Sequence, residues 1–241
     1  MFILNSIKAG LTGFLIIPAF LLLLAFSLEI RLSGFLALKL PFRLILTDLI
    51  YSFLRVSIMA LLAWLTGIIC GYFLCFYKSF SGLFLPLINF IRHISPFAWL
   101  PFAIIWFGLG ESSVGFVMFI TLFFPTLIAA SELFNTVPPE YLDEADVSGA
   151  TRFQLVRYVL IPLNYVGFIN LFRIIWGLGW SVIIAAEMLG VDSGLGFRLL
   201  DFRYLLQYPQ MLLYFIIMGC IGIVADAVLK KIVDTLKNRF Y

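Results

Sequence analysis

The stretch EYLDEADVSGATRFQLVRYVLIPL, residues 140–163, places six charged side chains within a chain that is 63% hydrophobic and only 12% charged. Charge at that density is costly in hydrocarbon, so this passage lies in water. Its local signals describe two short helices joined by a turn. Pro138 and Pro139 stand where a first helical turn tolerates proline. The carboxylates of Glu140, Asp143 and Glu144 follow, suited to the positive end of the helix dipole. Gly149 is placed for a left-handed C-cap, and Thr151 with Gln154 three residues on makes a capping-box pattern for a second helix. That helix carries Phe153, Leu155, Val156 and Val159 between Arg152 and Arg157, and Pro162 is expected to stop it. A plain solvated loop needs neither cap, and a DNA-reading helix-turn-helix does not suit an acidic first helix.

The sequence on either side is that of an integral membrane protein. Mean hydropathy is +1.10 and the chain holds 27 Phe. A spanning helix needs about 20 apolar residues, and six such runs are expected. They cover Ala9 to Leu28, Val56 to Tyr77, Gly82 to Gly110, Ser112 to Ser131, Leu163 to Ala186, and Tyr208 to Ala225. The third is interrupted by Arg92, His93, Pro96 and Pro101. The fold class is therefore all-α, about six transmembrane helices with a helical elbow between the fourth and fifth. Residues 1–55 read as a first span plus an outer-face amphipathic segment over 31–56, residues 56–235 as the core domain, and 236–241 as a tail. Lys8, the apolar run and Ala25-Phe26-Ser27 also fit a cleavable signal peptide, but the length of the run favours a retained span.

Positive charge orients the bundle. With the N-terminus inside, eight Lys and Arg fall on the cytoplasmic side and six outside. The segments after Tyr77 and Ala225 carry the clearer signal. Both termini and the elbow are then cytoplasmic. Cys70, Cys75 and Cys220 all fall in apolar runs without metal-ligand spacing, so they read as small hydrophobes, and no metal or cofactor is expected. A formal charge of +3 without a basic cluster gives no footing for nucleic acid.

The spacing of the elbow carries a resemblance. Asp143-Glu144-Ala145, then Gly149, then Val159, Ile161 and Pro162, resembles the EAA motif of ATP-binding-cassette importer permeases, with Asp143 and Glu144 standing where Glu and Ala are usual. Three further strings, in order, resemble the nitrate, sulfonate and taurine branch. They are IRHISPFAWLPFAIIWFGLGES (91–112), FFPT (123–126) and NLFRIIWGLGWSVIIAAEMLGVDSGLGF (170–197), the last with Asn170 and Phe172 as departures. Together they cover roughly residues 50–235. The resemblance implies a permease subunit of the bacterial cytoplasmic (inner) membrane. Its elbow would dock a cytoplasmic ATPase through Asp143, Glu144, Ala145, Gly149, Ala150, Thr151, Arg152 and Pro162. It also implies two ATPase copies, a second permease copy and an extracytoplasmic substrate-binding protein as partners. The branch carries nitrate, sulfonates, taurine and pyrimidine precursors, and nothing in this sequence selects among them.

Arg92, His93, Arg173 and Glu187 lie within or at the edges of apolar runs. A charge at the centre of a spanning helix costs about 2.5–3.5 kcal/mol on insertion scales, so each should face protein or water. Irregular backbone at membrane depth is confined to cavities and protein interiors. Arg92, His93 and Pro96 are therefore candidates for the translocation path, with Arg92 placed either to attract an anion in its cytoplasmic half or to serve gating or packing. Arg173 and Glu187 are candidates for the path or for internal ion pairs. They lie fourteen residues apart, too far to pair with each other, and Glu187 reads as an outer-end carboxylate open to solvent. The glycine-rich VDSGLGF (191–197) reads as an outer-face turn. No P-loop and no Ser/His/Asp set is present, so ATP hydrolysis belongs to another chain and an intramembrane enzyme is a poor fit. An ion-coupled secondary transporter is the serious alternative; it predicts an internal repeat and leaves the elbow unexplained.

Overall fold

A computed structural model describes residues 42–240. The first apolar run, over 9–28, lies outside the described residues. Within them every regular element is helical. The chain runs through α1 (Phe42–Phe76), α2 (Lys78–Arg92), α3 (Pro96–Phe107), α4 (Glu111–Asn135), α5 (Pro139–Val147), α6 (Arg152–Leu155), a π-turn (Val156–Leu160), α7 (Ile161–Gly190), α8 (Leu195–Tyr204) and α9 (Tyr208–Phe240). Four helices are long and apolar enough to cross a membrane, and α2 with α3 forms a fifth candidate bent by 99°. Lipid offers backbone groups no partners, and a helix satisfies its own.

Helix α4 runs through the centre, packed between α1 and α7. The approach of α1 to α4 depends on missing side chains. A Cβ at Gly67 would stand 2.7 Å from Thr126 Cγ2, and one at Gly71 would stand 2.9 Å from Ala130 Cβ. Small residues at this spacing let two helix backbones close together where lipid provides no hydrophobic drive. Val56, Ala60, Met118, Leu122, Ile175 and Ile183 fill the joint between the three helices, beside the stacked rings of Trp176 and Trp180.

Three boundaries differ from the sequence reading. Residues 42–56 are not an amphipathic segment at the surface but the first turns of α1, with Asp48, Ser52 and Arg55 buried. The third apolar run is broken between Arg92 and Pro96, because the ring of Pro96 is suited to starting a helix and not to continuing one. Pro162 does not stop the elbow's second helix. The chain stays helical from Arg152 to Met188, and the Ile161 N–H bonds back five residues to Val156. The wider π-turn accommodates the ring that would clash in a regular α-turn.

Candidate functional site: a surface elbow and a buried polar end

The elbow connects α4 to α7 at one end of the bundle. Helix α5 ends in a Schellman motif: Gly149 takes φ +71°, its N–H donates to the Asp146 carbonyl at 3.0 Å, and the Ala150 N–H donates to the Ala145 carbonyl at 3.0 Å. The Thr151 hydroxyl accepts from the Gln154 N–H, while the Gln154 side chain accepts from the Thr151 N–H at 2.8 Å, closing the capping box of α6. Ala145, Leu155 and Leu160 turn inward onto Phe134, Val137 and Phe168. The opposite side faces out. Asp143, Glu144 and Arg152 are exposed there, with Val147 90% and Phe153 70% accessible. The elbow is thus a rigid knob with an acidic and apolar outer face, clamped to the bundle by its inner one.

At mid-depth lies the break between α2 and α3. Arg92 and His93 are exposed on it, and the His93 Nδ1–H donates to the Asn89 carbonyl at 2.6 Å. Arg92 has no ion-pair partner among the described residues. It borders a cavity of about 260 Å³ shared with Pro96, Thr121, Pro125, Leu178 and Val182, against the middle of α4 and not toward its elbow end.

The other end of the bundle holds a polar network that the sequence reading did not assemble. The Arg55 guanidinium, 8% exposed, donates to Glu111 at 2.8 and 2.5 Å, to Glu187 at 2.7 Å, and to the carbonyl and hydroxyl of Ser193 at 2.7 and 2.9 Å. Glu187, expected at a solvated end, is fully buried. Its carboxylate also accepts from the Ser52 hydroxyl at 2.7 and 2.8 Å and from the Gly196 N–H at 2.8 Å. Asp48 in turn accepts from Arg198 at 3.0 Å, the Tyr214 hydroxyl at 3.0 Å and the Gly194 N–H at 3.2 Å. Burial lowers the basicity of the Arg198 guanidinium. The hydrogen bond and charge of Asp48, with Tyr214 and Asp201, outweigh that and hold its pKa above the ordinary arginine value.

VDSGLGF is therefore more than a turn. It is a cradle for a carboxylate. A Cβ at Gly194 would meet the Glu187 oxygen at 2.4 Å, and one at Gly196 would meet the Ile184 carbonyl at 2.6 Å. The sequence held a signal for this network: Asp48, Ser52 and Arg55 recur at helical spacing on one face of an otherwise apolar run. Arg173, the fourth intramembrane charge, forms a two-pronged pair with Asp226 of α9 at 2.7 and 2.8 Å. The structure thus separates the expected path residues: Arg92, His93 and Pro96 share one break, while Arg173 and Glu187 each occupy an ion pair elsewhere.

Comparison with known proteins decides the family. The model of the binding-protein-dependent transport system inner membrane component matches residues 63–240. The chain belongs to this family. It is the permease component of an ABC importer and a multi-pass membrane protein. An ABC transporter permease protein of Methanocaldococcus jannaschii is 34% identical over 79% of this chain and 72% of its own length. The taurine transport system permease TauC of Escherichia coli is 32% identical over 61% of this chain, and the nitrate import permease NrtB of Synechococcus elongatus 34% over 64%. The matches span only 53% and 55% of those two relatives. In fold, the chain is similar to the inward-facing MetNI methionine ABC transporter, with a TM-score of 0.66 at 17% identity over 77% of this chain and 93% of that one.

Proposed function

We propose that two copies of this chain face each other across a translocation path, each docking one ATP-binding subunit through its elbow, with an external binding protein delivering the solute. The observation that carries this is the elbow itself. Two capped helices on the α4–α7 connection anchor Ala145 inward and present Asp143, Glu144, Val147 and Phe153 outward. Charge and apolar area on a rigid support are what a docking knob requires. Closure of the ATPase pair would move the elbow and, through the continuous helix from Arg152 to Met188, the bundle with it. The elbow is cytoplasmic in this reading, as are both termini, and the Arg55–Glu187 end faces outward.

The path is placed at the break between α2 and α3, where Arg92, His93 and Pro96 offer a cation and irregular backbone beside a cavity. The solute is a small anion or small organic solute of the nitrate, sulfonate, taurine or pyrimidine-precursor class, and the taurine and nitrate names of two relatives support that range. Replacing Arg92→Gln tests the path. Loss of transport with intact assembly and intact ATPase stimulation is expected; loss of ATPase coupling as well would remove the substrate role.

A further inference from the structure

The elbow's second helix joins α7 through the only π-turn among the described residues, Val156–Leu160. A turn closed five residues back holds one residue more than an α-turn. Proline alone does not demand that surplus, because Pro125 lies inside α4, which stays a regular α-helix from Glu111 to Asn135. The burial pattern shows what the surplus residue does. Leu155 and Leu160, 7% and 0% exposed, both pack into the cluster of Phe134, Val137 and Phe168. In a regular α-helix side chains five apart point about 140° away from each other, and those three or four apart share a face. The wide turn brings the two leucines onto one side. Without it Val156 would stand in the place of Leu155, Leu155 in the exposed place of Gln154, and Gln154 in the outward place of Phe153.

We infer that the surplus residue of the π-turn sets the rotational phase of the elbow, so that Phe153 joins Asp143 and Glu144 on the face offered to the ATP-binding subunit. This rests on the reading of the elbow as that subunit's docking surface. Asn164 braces the turn from α7. It is 5% exposed, and its Nδ2 donates to the Leu160 carbonyl at 3.1 Å. Its Oδ1 lies 3.5 Å from the hydroxyl of Thr136, the C-cap of α4. A buried amide is costly unless its groups are used, and this one lies between the two stems of the elbow. On the other side the Thr151–Gln154 capping box fixes the start of α6, so the surplus residue is held between two fixed points. A phase change of one residue is about 100° of rotation and about 1.5 Å of rise. That is enough to turn Phe153, now outward, away from a partner.

A deletion separates phase from ordinary helix length. Removing Tyr158, an exposed residue, takes out the surplus, and a regular α-turn then carries Leu155 inward and Phe153 outward as before. Removing one residue from a helix without a surplus would instead rotate the elbow by about 100°. The full chain is co-expressed with the ATP-binding subunit in three forms: Tyr158 deleted, one alanine inserted after Tyr158, and Phe153→Ser. The deletion chain is expected to keep the subunit at unaltered stoichiometry and to keep its thermal midpoint, whereas the insertion chain loses the subunit. Phe153→Ser changes an exposed side chain alone, so it should lose the subunit at an unaltered midpoint even where the insertion chain fails to fold. Loss of the subunit from the deletion chain, or failure of that chain to accumulate, overturns the inference. Unaltered retention by the insertion chain or by Phe153→Ser does so too. A chain carrying Asp143→Lys and Glu144→Lys separates this from the docking role. If that chain keeps the subunit, the docking role itself has failed. If it loses the subunit while the deletion chain also does, or while the insertion chain keeps it, the phase alone is wrong.

Discussion

The two ends of this bundle spend their charges in opposite ways. At the elbow, Asp143 and Glu144 face outward with no ion-pair partner among the described residues, while the backbone beneath them is fixed by a Schellman motif and a capping box. At the far end Arg55, Glu187, Asp48 and Arg198 bond to one another, to the side chains of Glu111, Ser52, Ser193 and Tyr214, and to backbone groups. The first arrangement leaves free energy available for a partner. The second uses its charges internally and ties α1, α4, α7, α8 and α9 together. A transporter that moves its helices as bodies needs both, a stiff end to define the body and a free surface to push on.

The comparison breaks most visibly at Glu187. Replacing Glu187→Ala leaves Arg55 buried with only Glu111 and Ser193, and removing one partner of a buried pair costs about 3–5 kcal/mol. The expected outcome is a large fall in thermal midpoint in detergent, or failure to accumulate in membranes. Gly194→Ala should come close to it, because the new methyl meets the carboxylate at 2.4 Å and the residue holds φ +112°. At the elbow, Gly149→Ala meets open space but still forces an L-residue into φ +71°, for about 1–2 kcal/mol. Thr151→Ala removes one cap, for about 1 kcal/mol. Both should lower ATPase stimulation further than they lower the thermal midpoint. If Glu187→Ala proves harmless to the fold, the far end is not the stiff one.

The elbow was legible because its instructions are local. Proline, carboxylate, glycine and Thr-x-x-Gln act within four residues of themselves, and each appears in the structure where its chemistry places it. The far end was not legible because most of its pairs join residues 56 to 166 positions apart. Nothing in LGVDSGLG announces that its Gly196 N–H donates to Glu187 while its Gly194 N–H donates to Asp48. Pro162 misled for a different reason. Proline forbids one hydrogen bond, which ends a helix only when no wider turn absorbs the defect, and the π-turn at Val156–Leu160 absorbs it. The break in the third run was half legible: Arg92, His93 and Pro96 marked the place, but not the 99° bend.

The central claim is that the acidic outer face of the elbow holds the ATP-binding subunit and contributes nothing to the fold. The most direct measurement is co-purification of that subunit, co-expressed with this chain carrying Asp143→Lys and Glu144→Lys together. The thermal midpoint of the isolated permease is read in parallel. The account predicts that the ATP-binding subunit is lost while the midpoint stays within the range of the unaltered chain. Retention of the subunit at unaltered stoichiometry would contradict it.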